Sequence, residues 1–263
     1  MSKSLDIFAP VIIDIGTERF SHSLMLALNQ LAAFDGLCII QFYPDRGPQV
    51  LCDDLPRADY KVFWQTYMKG AYLLDPFYRI CAEGRSGMFH LREIMPEGFT
   101  TSSYYKNYFA PAENIDEINY LLQADGFSVL IGLSRSVKFR RFSAAEGKKM
   151  DHATSMVETL VLKHIELIGA NHSEATAYDQ PAALKERLDS FGKLELTVRE
   201  HEIAHLMLLG YSSKAAANQL EISPATERVH RKSIYRKMNV NSHAELLAQA
   251  FNFLIDPEES IPS

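Results

Sequence analysis

Five basic side chains lie close together between residues 228 and 237 of this sequence, and no acidic residue lies in that interval: Arg228, Arg231, Lys232, Arg236 and Lys237. Arginine and lysine bind phosphate oxygens, and arginine can also donate two hydrogen bonds to the O6 and N7 atoms of guanine. A basic run on a helix is more often only a solvated surface. Whether these side chains bind phosphate therefore depends on the helices that position them.

Short helices with clear start signals precede the basic run. Thr197 and Glu200 form a T-x-x-E capping box, and Ser212 is a second N-cap. Ser223 caps a third helix and Pro224 occupies its first position, where the missing amide would have had no partner. The pattern predicts three helices in succession, of which the third carries the basic residues.

The third helix is predicted to run over residues 224–238 and to bury Val229, Ile234 and Met238. A second capping box at residues 242–245 predicts a fourth helix. A short basic helix supported by two packed helices suits the major groove of duplex DNA. The pattern therefore predicts a helix-turn-helix domain.

The segment LTVREHEIAHLMLLGYSSKAAANQLEISPATERVHRKSIYRKM, residues 196–238, resembles the DNA-binding domain of the LuxR/FixJ family of bacterial regulators. The family pattern includes L-T-x-R-E-x-E-[VI] and, later, S-x-x-T-V-[KE]-x-H. This sequence departs from it at Glu227, where the family usually has an apolar residue, and at Ala216, where the family has isoleucine or valine. We expect both departures to loosen the packing beneath the third helix.

The resemblance implies which residues meet DNA. The matching positions are Lys214, Ser223, Thr226, Arg228, Val229, His230, Arg231 and Lys232. Arg228, Val229 and Lys232 match positions that face the floor of the groove, while most of the others match positions that hold phosphates. Two alternatives stay open: Val229 as a core residue and His230 as a buried, hydrogen-bonded histidine. The resemblance also implies dimerisation through residues 242–251.

Residues 1–170 are predicted to form an α+β domain. The pattern predicts a helix at 23–34, strands at 37–43, 49–52, 117–123 and 127–134, and a long helix at 143–169. This order is typical of one antiparallel sheet flanked by helices. It resembles the GAF/PAS-like sensor fold and, more loosely, the ligand-binding half of LuxR-type quorum sensors.

A predicted helix at residues 60–74 and the Asp-Pro pair that follows it contain the best candidate ligand site. Its candidate residues are Trp64, Tyr67, Tyr72, Asp75, Phe77 and Tyr78. Quorum sensors of the family have a tryptophan, tyrosines and an aspartate here, and the aspartate accepts the amide N–H of an acyl-homoserine lactone. Because the spacing from Trp64 to Asp75 is shorter than in that pattern, a cationic amine is favoured over a lactone as the effector.

Two other interpretations concern the same region. Aromatic residues at helical spacing usually belong to the core, and Asp75 before a proline is often only a turn residue. The tyrosines at 104, 105 and 108 are candidates for the wall of the same pocket. Asp53, Asp54 and Asp59 are expected to lie in a solvated loop.

Composition excludes several classes of protein. The chain has 263 residues, of which 47% are hydrophobic, and a net charge of −6. We expect a cytoplasmic protein, because no apolar run reaches transmembrane length and the N-terminus does not resemble a signal peptide. Three cysteines without metal-binding spacing are expected to be free thiols. The sequence contains no enzyme motif such as G-x-S-x-G, a P-loop or H-E-x-x-H, and we expect neither catalysis nor a cofactor.

The sequence thus predicts a sensing and dimerisation domain at residues 1–170, a linker at 171–193 and a helix-turn-helix domain at 194–263. The predicted function is a ligand-responsive regulator that binds double-stranded DNA as a homodimer. RNA polymerase is a further candidate partner. The alternative is a ligand-independent DNA-binding regulator whose N-terminal domain serves dimerisation or a partner protein.

Overall fold

The computed structural model describes residues 6–44, 46–95, 99–101, 105–169, 181–209 and 211–255. Contacts between Cα atoms divide the chain into two compact units. The first comprises Met1–Tyr60, Ile80–Glu93 and Glu113–Asp179, and the second comprises Lys61–Arg79, Ile94–Ala112 and Gln180–Ser263. Each unit is therefore assembled from several separate segments of the chain.

Five strands form one antiparallel sheet in the described part of the first unit, in the order β2-β1-β5-β4-β3. The strands are β1 Gly36–Phe42, β2 Gln49–Asp54, β3 Gly87–His90, β4 Asn114–Ala124 and β5 Phe127–Ser136. The hairpin between β4 and β5 turns at Asp125 and Gly126, where the glycine has φ of 84°. This confirms the predicted α+β class.

The α-helices of the described residues are α1 Ala9–Ile13, α2 Phe20–Asn29, α3 Arg57–Val62, α4 Pro76–Ala82, α5 Leu91–Ile94, α6 Ala144–Asp151, α7 Thr154–Gly169, α8 Pro181–Ser190, α9 Val198–Leu208, α10 Ser213–Gln219, α11 Pro224–Lys237 and α12 His243–Ile255. Two π-helical turns, Phe63–Tyr67 and Tyr105–Phe109, and two 3₁₀ turns, Ala71–Leu74 and Phe99–Thr101, accompany them.

The core of the first unit lies against one face of the sheet. Alternate residues of the central strands, among them Tyr120 and Ile131, pack with Leu24 of α2 and Val157 of α7. The hydroxyl of Tyr120 donates to the backbone oxygen of Met150 at 2.8 Å, which satisfies its one polar atom inside the core. Because strand side chains alternate between faces, the intervening residues of β1, β4 and β5 point to the opposite face.

Two predicted helices are interrupted. The helix predicted at residues 60–74 breaks at Gly70, whose φ of 138° is outside the helical region. The long helix predicted at 143–169 begins with the expected Ser143–Glu146 capping box but divides into α6 and α7. At the division the amide of Ala153 donates to Met150, three residues back, instead of four.

The second unit contains α8 to α12. The segment Pro181–Ser190, within the predicted linker, is helical, while residues 170–180 lie outside the described part of the chain. Helices α9 to α12 confirm the four helices predicted from their caps. No helix among the described residues is long and apolar enough to cross a membrane. None of the three cysteines, Cys38, Cys52 and Cys81, is in a disulfide bond.

Candidate DNA interface and sensor sites

Capping hydrogen bonds set the positions of the C-terminal helices. The amide of Glu200 donates to the Thr197 hydroxyl at 3.3 Å, and the amide of Thr197 donates back to the Glu200 carboxylate at 2.9 Å. The Ser223 hydroxyl accepts from the amide of Thr226 at 3.0 Å and begins α11. These caps satisfy amides that would otherwise lack a partner, so each helix starts at the residue predicted from the sequence.

The start of α12 differs slightly from the predicted capping box. The Glu245 amide donates to the hydroxyl of Ser242 at 3.1 Å, as expected. The Glu245 carboxylate, however, accepts from the backbone of Asn241 at 2.8 Å, one residue earlier than the pattern requires. The helix begins where predicted, and the cap reaches one residue further back.

Packing holds α11 with one face towards its neighbours. Ile234 is fully buried and Met238 is 6% exposed, as predicted. The helix packs against α9, where Ile203 and Met207 are buried, and against α10, where Ala216 is buried. The opposite face of α11 is consequently open to solvent. The buried residues Ile234 and Met238 therefore help to set the orientation of this helix.

Arg228, Val229 and Lys232 occupy the open face of α11, and all three are exposed. The prediction that Val229 is buried is wrong: it is 69% exposed, because the buried stripe passes through Ile234 and Met238 instead. Residues three and four positions apart lie on the same side of a helix, so Val229 and Arg228 are both neighbours of Lys232. The three side chains thus form one surface that combines two cations with a small apolar group.

Glu227 is completely buried beneath this surface. Its carboxylate accepts hydrogen bonds from Nε and Nη2 of Arg231 at 2.9 Å and 2.6 Å, and the hydroxyl of Ser213 donates to its other oxygen. The expected loosening at this position does not occur, since the glutamate is held by a cation and a hydroxyl. Arg231, which was predicted to contact DNA, therefore forms an ion pair with Glu227 inside the protein.

The predicted phosphate-binding residues lie near the starts of α10 and α11. Lys214, Ser223 and Thr226 are exposed and His230 is half-buried. The hydroxyls of Ser223 and Thr226 are 2.8 Å apart and hydrogen-bonded to each other. Backbone amides and hydroxyls at a helix N-terminus favour anions, which suits a phosphate.

Lys237 fastens the end of α11 to the start of α9. Its ammonium donates to the Glu200 carboxylate at 2.6 Å. Burial of Glu200 opposes ionisation, but the hydrogen bonds from Lys237 and Thr197 lower the pKa of this carboxyl to about 2. Lys237 therefore takes part in a structural ion pair, whereas Arg228, Lys232 and Arg236 are exposed cations of α11 for which the described residues provide no ion-pair partner.

Five of the six candidate ligand residues fall into two small groups. Tyr67 donates to Oδ2 of Asp75 at 2.7 Å, and the amide of Phe77 donates to Oδ1 at 2.8 Å. Tyr72 and Tyr78 pack edge to face with ring centroids 5.1 Å apart, and burial raises the pKa of Tyr72 well above its ordinary range. Both carboxylate oxygens of Asp75 thus have donors from its own segment.

Trp64 and Tyr108 extend the aromatic cluster around these groups. Trp64 is half-buried and meets Phe63 in a T-shaped arrangement at 5.4 Å, while Tyr108 lies 4.9 Å from Tyr67. Tyr105 stacks on Phe109 at 5.6 Å. The remaining candidate, Tyr104, lies outside the described residues.

An additional cavity of about 890 Å³ lies in the first unit, where sequence reasoning had placed no site. It lies between the start of α2, the β1–β2 hairpin and the end of α7, and His164 and Gln41 are among its lining residues. The Nδ1 atom of His164 accepts from the amide of Gly16 at 3.0 Å, and its ring stacks on Phe20 at 4.0 Å. Burial lowers the pKa of His164 to about 4, so the ring is neutral and carries its proton on Nε2.

No group of three or more His, Cys, Asp or Glu side chains among the described residues is arranged to hold a metal ion. The lining residues of the cavity come from segments more than 140 positions apart, so no local pattern could have indicated it.

Comparisons with known proteins agree with this geometry. A family model described as bacterial regulatory proteins, luxR family, matches residues 194–250. A putative HTH-type transcriptional regulator in the exeN 3′ region of Aeromonas salmonicida is 27% identical over 69% of this chain and 95% of its own length. The response regulator TodT of Pseudomonas putida is 42% identical over 24% of this chain and 26% of its own length.

A solved structure matches about two thirds of the chain. The LBD domain of VqsR from Pseudomonas aeruginosa superposes with a TM-score of 0.54 and 28% identity, and the match covers 64% of this chain and 99% of that one. The luxR-family match coincides with the helices that present Arg228 and Lys232, and its members are transcriptional regulators. Residues 194–250 are therefore a luxR-family helix-turn-helix domain.

Proposed function

We propose that the chain binds duplex DNA as a homodimer, with α11 in the major groove, and that a small molecule bound by the N-terminal region controls this binding. The observation that carries the DNA part is the exposed surface of Arg228, Val229 and Lys232 on a helix whose other face is packed. Arginine or lysine recognises guanine, and valine can contact a thymine methyl group. Exposed Lys214 and the hydroxyls at the start of α11 would hold phosphates and set the register.

Control by a small molecule is supported by the comparison with VqsR, whose matching structure is named as an LBD domain. The cavity of about 890 Å³ beside His164 supplies a place where a molecule could lie. A ligand changes DNA binding only if it binds two states of the protein with different affinity. Ligand responsiveness is therefore a separate claim from DNA binding.

The dimer follows from the resemblance of residues 242–251 to the family's dimerisation helix. Leu246 and Ala250 of α12 are already fully buried within the single chain. A dimer contact through α12 would consequently use the exposed side of the helix, which includes Glu245 and Asn252. Two reading helices would then address two half-sites about one helical turn apart, roughly 10 base pairs.

Selection from a random duplex library tests the DNA claim. We expect the purified full-length chain at low salt to enrich paired half-sites separated by about one helical turn. The selection would be repeated with and without a small-molecule extract of a bacterial culture. Enrichment that is equal in both arms would favour the ligand-independent alternative, and no enrichment in either arm would contradict DNA recognition altogether.

A further inference from the structure

The cavity beside His164 lies on the face of the sheet that carries the apolar core. Gln41 of β1 is paired with Val129 of β5, and Val129 belongs to that core. Since residues paired across antiparallel strands point to the same face, the Gln41 side chain lies on the side of α2 and α7. Helix α3 lies on the other face, where Asp59 accepts from the Ser134 hydroxyl at 3.4 Å and is buried, although the sequence suggested a solvated loop.

Exposure divides the lining of this cavity into a mouth and a floor. Glu18, Arg46 and Glu166 are exposed and lie at the mouth, where the Arg46 guanidinium is 3.7 Å from the centre of the Tyr43 ring. Gln41 is buried and forms part of the floor. The volume of about 890 Å³ is within the range of small-molecule sites, so the cavity has room for a polar group and an apolar chain together.

A β-bulge shapes the edge of the sheet at this cavity. The pairing of β1 with β2 shifts between Ile39 and Ile40, which leaves Leu51 as the extra residue of β2. A bulge interrupts the regular alternation of side chains and increases the twist of the strand. The consecutive residues Val50 and Leu51 both line the cavity, whereas a regular strand would turn one of them to the opposite face.

Gln41 is a buried polar group that the rest of the protein does not satisfy. It is 4% exposed, and its side-chain amide forms no hydrogen bond with any residue that the structure describes. Gln49, its partner on β2, accepts instead from the Tyr43 hydroxyl at 3.3 Å. Natural proteins rarely leave a buried polar side chain without a partner, because it has lost its hydrogen bonds to water. The amide of Gln41 is therefore available to a molecule in the cavity.

His164 makes the wall of the cavity neutral and rigid. Its Nδ1 atom accepts from the amide of Gly16 at 3.0 Å, and its ring stacks on Phe20 at 4.0 Å. Burial lowers the pKa of His164 to about 4, so the ring carries no charge at neutral pH. The remaining ring proton, on Nε2, has no acceptor in the part of the chain that the structure describes. The wall thus adds an uncharged donor to the amide of the floor.

The hydrogen-bonding groups of Gln41 decide which chemical class fits. Its amide has a donating nitrogen and an accepting oxygen side by side. A carboxylate supplies only acceptors and leaves the oxygen of Gln41 without a donor. An ammonium group supplies only donors and leaves the nitrogen without an acceptor. A second amide supplies one of each, so two amides can form a pair of parallel hydrogen bonds.

We propose that this cavity binds a small neutral amide, a carboxamide or lactam that carries an apolar chain. Its N–H group donates to the oxygen of Gln41, and its carbonyl oxygen accepts from the nitrogen. Val50 and Leu51 follow directly after Gln49, which is paired with Gln41, and so lie beside the bound amide to receive the hydrocarbon part. This inference rests on the proposed ligand control and names the chemistry and the place of the effector.

The site differs from the one that the aromatic segment suggested. Both carboxylate oxygens of Asp75 accept hydrogen bonds from Tyr67 and Phe77. Gln41, in contrast, lies in a cavity and keeps both ends of its amide for a ligand. A neutral amide at Gln41 and a cationic amine at Asp75 are therefore separable outcomes of one experiment.

Titration calorimetry and thermal shift on the full-length chain test the proposal with three probes that share a hexyl chain: hexanamide, hexanoate and n-hexylammonium. We expect hexanamide to bind with one site per chain and to raise the melting temperature. The two charged probes should bind at least about tenfold more weakly, because each leaves one side of the Gln41 amide unmatched. Equal binding of all three probes, or no binding of hexanamide, overturns the proposal.

Two variants make the result specific. Gln41→Leu removes both hydrogen-bonding atoms at similar size, and we expect hexanamide affinity to fall at least about tenfold. Since Gln41 has no partner among the described residues, the melting temperature of the free variant should equal or exceed that of the parent. Gln30→Leu makes the same change at an exposed position outside the cavity and should bind like the parent. Undiminished binding of hexanamide to Gln41→Leu contradicts the assignment.

Hydrogen–deuterium exchange of the parent locates the site without any substitution. With hexanamide we expect slower exchange in residues 41–51 and 162–169, which line the cavity, and no change in residues 61–79. Protection confined to residues 61–79 would place the ligand in the aromatic segment and refute the cavity as its site.

Operator binding keeps this failure distinct from failure of the proposed function. Without effector, Gln41→Leu is expected to select the same operator as the parent. If a culture extract changes operator binding equally in both proteins, ligand control stands and the amide site is refuted. If neither protein selects any duplex, the regulator function itself fails.

Discussion

Glu227 and Arg231 form an ion pair one turn apart inside the helix that faces DNA in our proposal, with the carboxylate fully buried and N–O distances of 2.9 Å and 2.6 Å. The Ser213 hydroxyl completes the pair from the neighbouring helix. Where family relatives have an apolar residue, this chain thus connects α10 and α11 through polar atoms. Among the predicted DNA contacts, Arg231 is consequently the residue whose substitution we expect to lower the stability of the fold.

Removing the cation of this pair should destabilise the C-terminal helices. Arg231→Met leaves the fully buried Glu227 carboxylate without its main partner, and we expect a loss of about 3 kcal/mol. The double variant Glu227→Leu/Arg231→Met replaces both charges with apolar groups and should recover most of that loss. Urea unfolding followed by circular dichroism measures both. Equal stability of the single variant and the parent would show that the pair contributes nothing.

Arg228→Ala should weaken recognition of one base pair rather than binding in general. Its exposed guanidinium is placed to donate to guanine, so the preferred operator should lose about 1–3 kcal/mol of binding free energy and random DNA much less. Fluorescence anisotropy with operator and scrambled duplexes gives the two affinities. A parallel loss on both duplexes would assign Arg228 to phosphate instead.

Lys214→Ala is the matched comparison for Arg228→Ala, because it also removes one exposed cation, near the start of α10. We expect operator and scrambled DNA to lose affinity alike, and the slope of log K against log salt to fall by about 1. The same duplexes measured between 50 and roughly 200 mM salt suffice. An unchanged slope would remove Lys214 from the set of phosphate contacts.

Acid should weaken the link between α9 and α11. The pKa of Glu200 is lowered from 4.5 to about 2, so the unfolded chain binds the proton more readily than the folded one. The stability that this carboxylate contributes is complete above pH 4.5 and is lost as the pH falls towards 2. Glu200→Gln should abolish that part of the slope in unfolding measurements, whereas Glu202→Gln, at a half-exposed position, should retain it.

The stability of the first unit should depend on pH over a different pH range. Burial lowers the pKa of His164 from 6.5 to about 4, which stabilises the fold above pH 6.5 and withdraws that stability as the pH falls through 4. His164→Gln keeps an acceptor for the Gly16 amide but cannot take up a proton there, so its melting temperature should vary less between pH 7 and pH 4. His152→Gln, an exposed histidine, serves as the control. If His164→Gln and the parent have the same pH profile, the ring is not held neutral.

The helix starts were predictable because each depends on two or three neighbouring residues. Thr197, Ser212, Ser223 and Ser242 cap the helices that their local patterns indicated. The antiparallel sheet was likewise predictable, since apolar strands and the turn at Gly126 are local signals. The prediction of the helix starts and that of the sheet therefore needed no information about distant residues of the chain.

Features that depend on distant residues could not be predicted. Val229 was expected in the core, but which stripe of α11 is buried depends on α9 and α10. Asp59 has two acidic neighbours in the sequence at positions 53 and 54, yet it is buried through Asn114 and Ser134, more than 50 positions away. The break at Gly70 and the cavity beside His164 likewise follow from tertiary arrangement.

The second unit includes Lys61–Arg79 as well as the helix-turn-helix segment. Within it, the Arg79 guanidinium donates to the backbone oxygen of Leu209 at 2.7 Å, at the end of α9. A truncated protein that begins at residue 194 would leave that carbonyl at the helix terminus to water and would lose a favourable charge there. In such a fragment the end of α9 would differ from that in the intact protein, and this difference would affect the measured DNA affinities. Operator preferences should therefore be compared with the intact polypeptide.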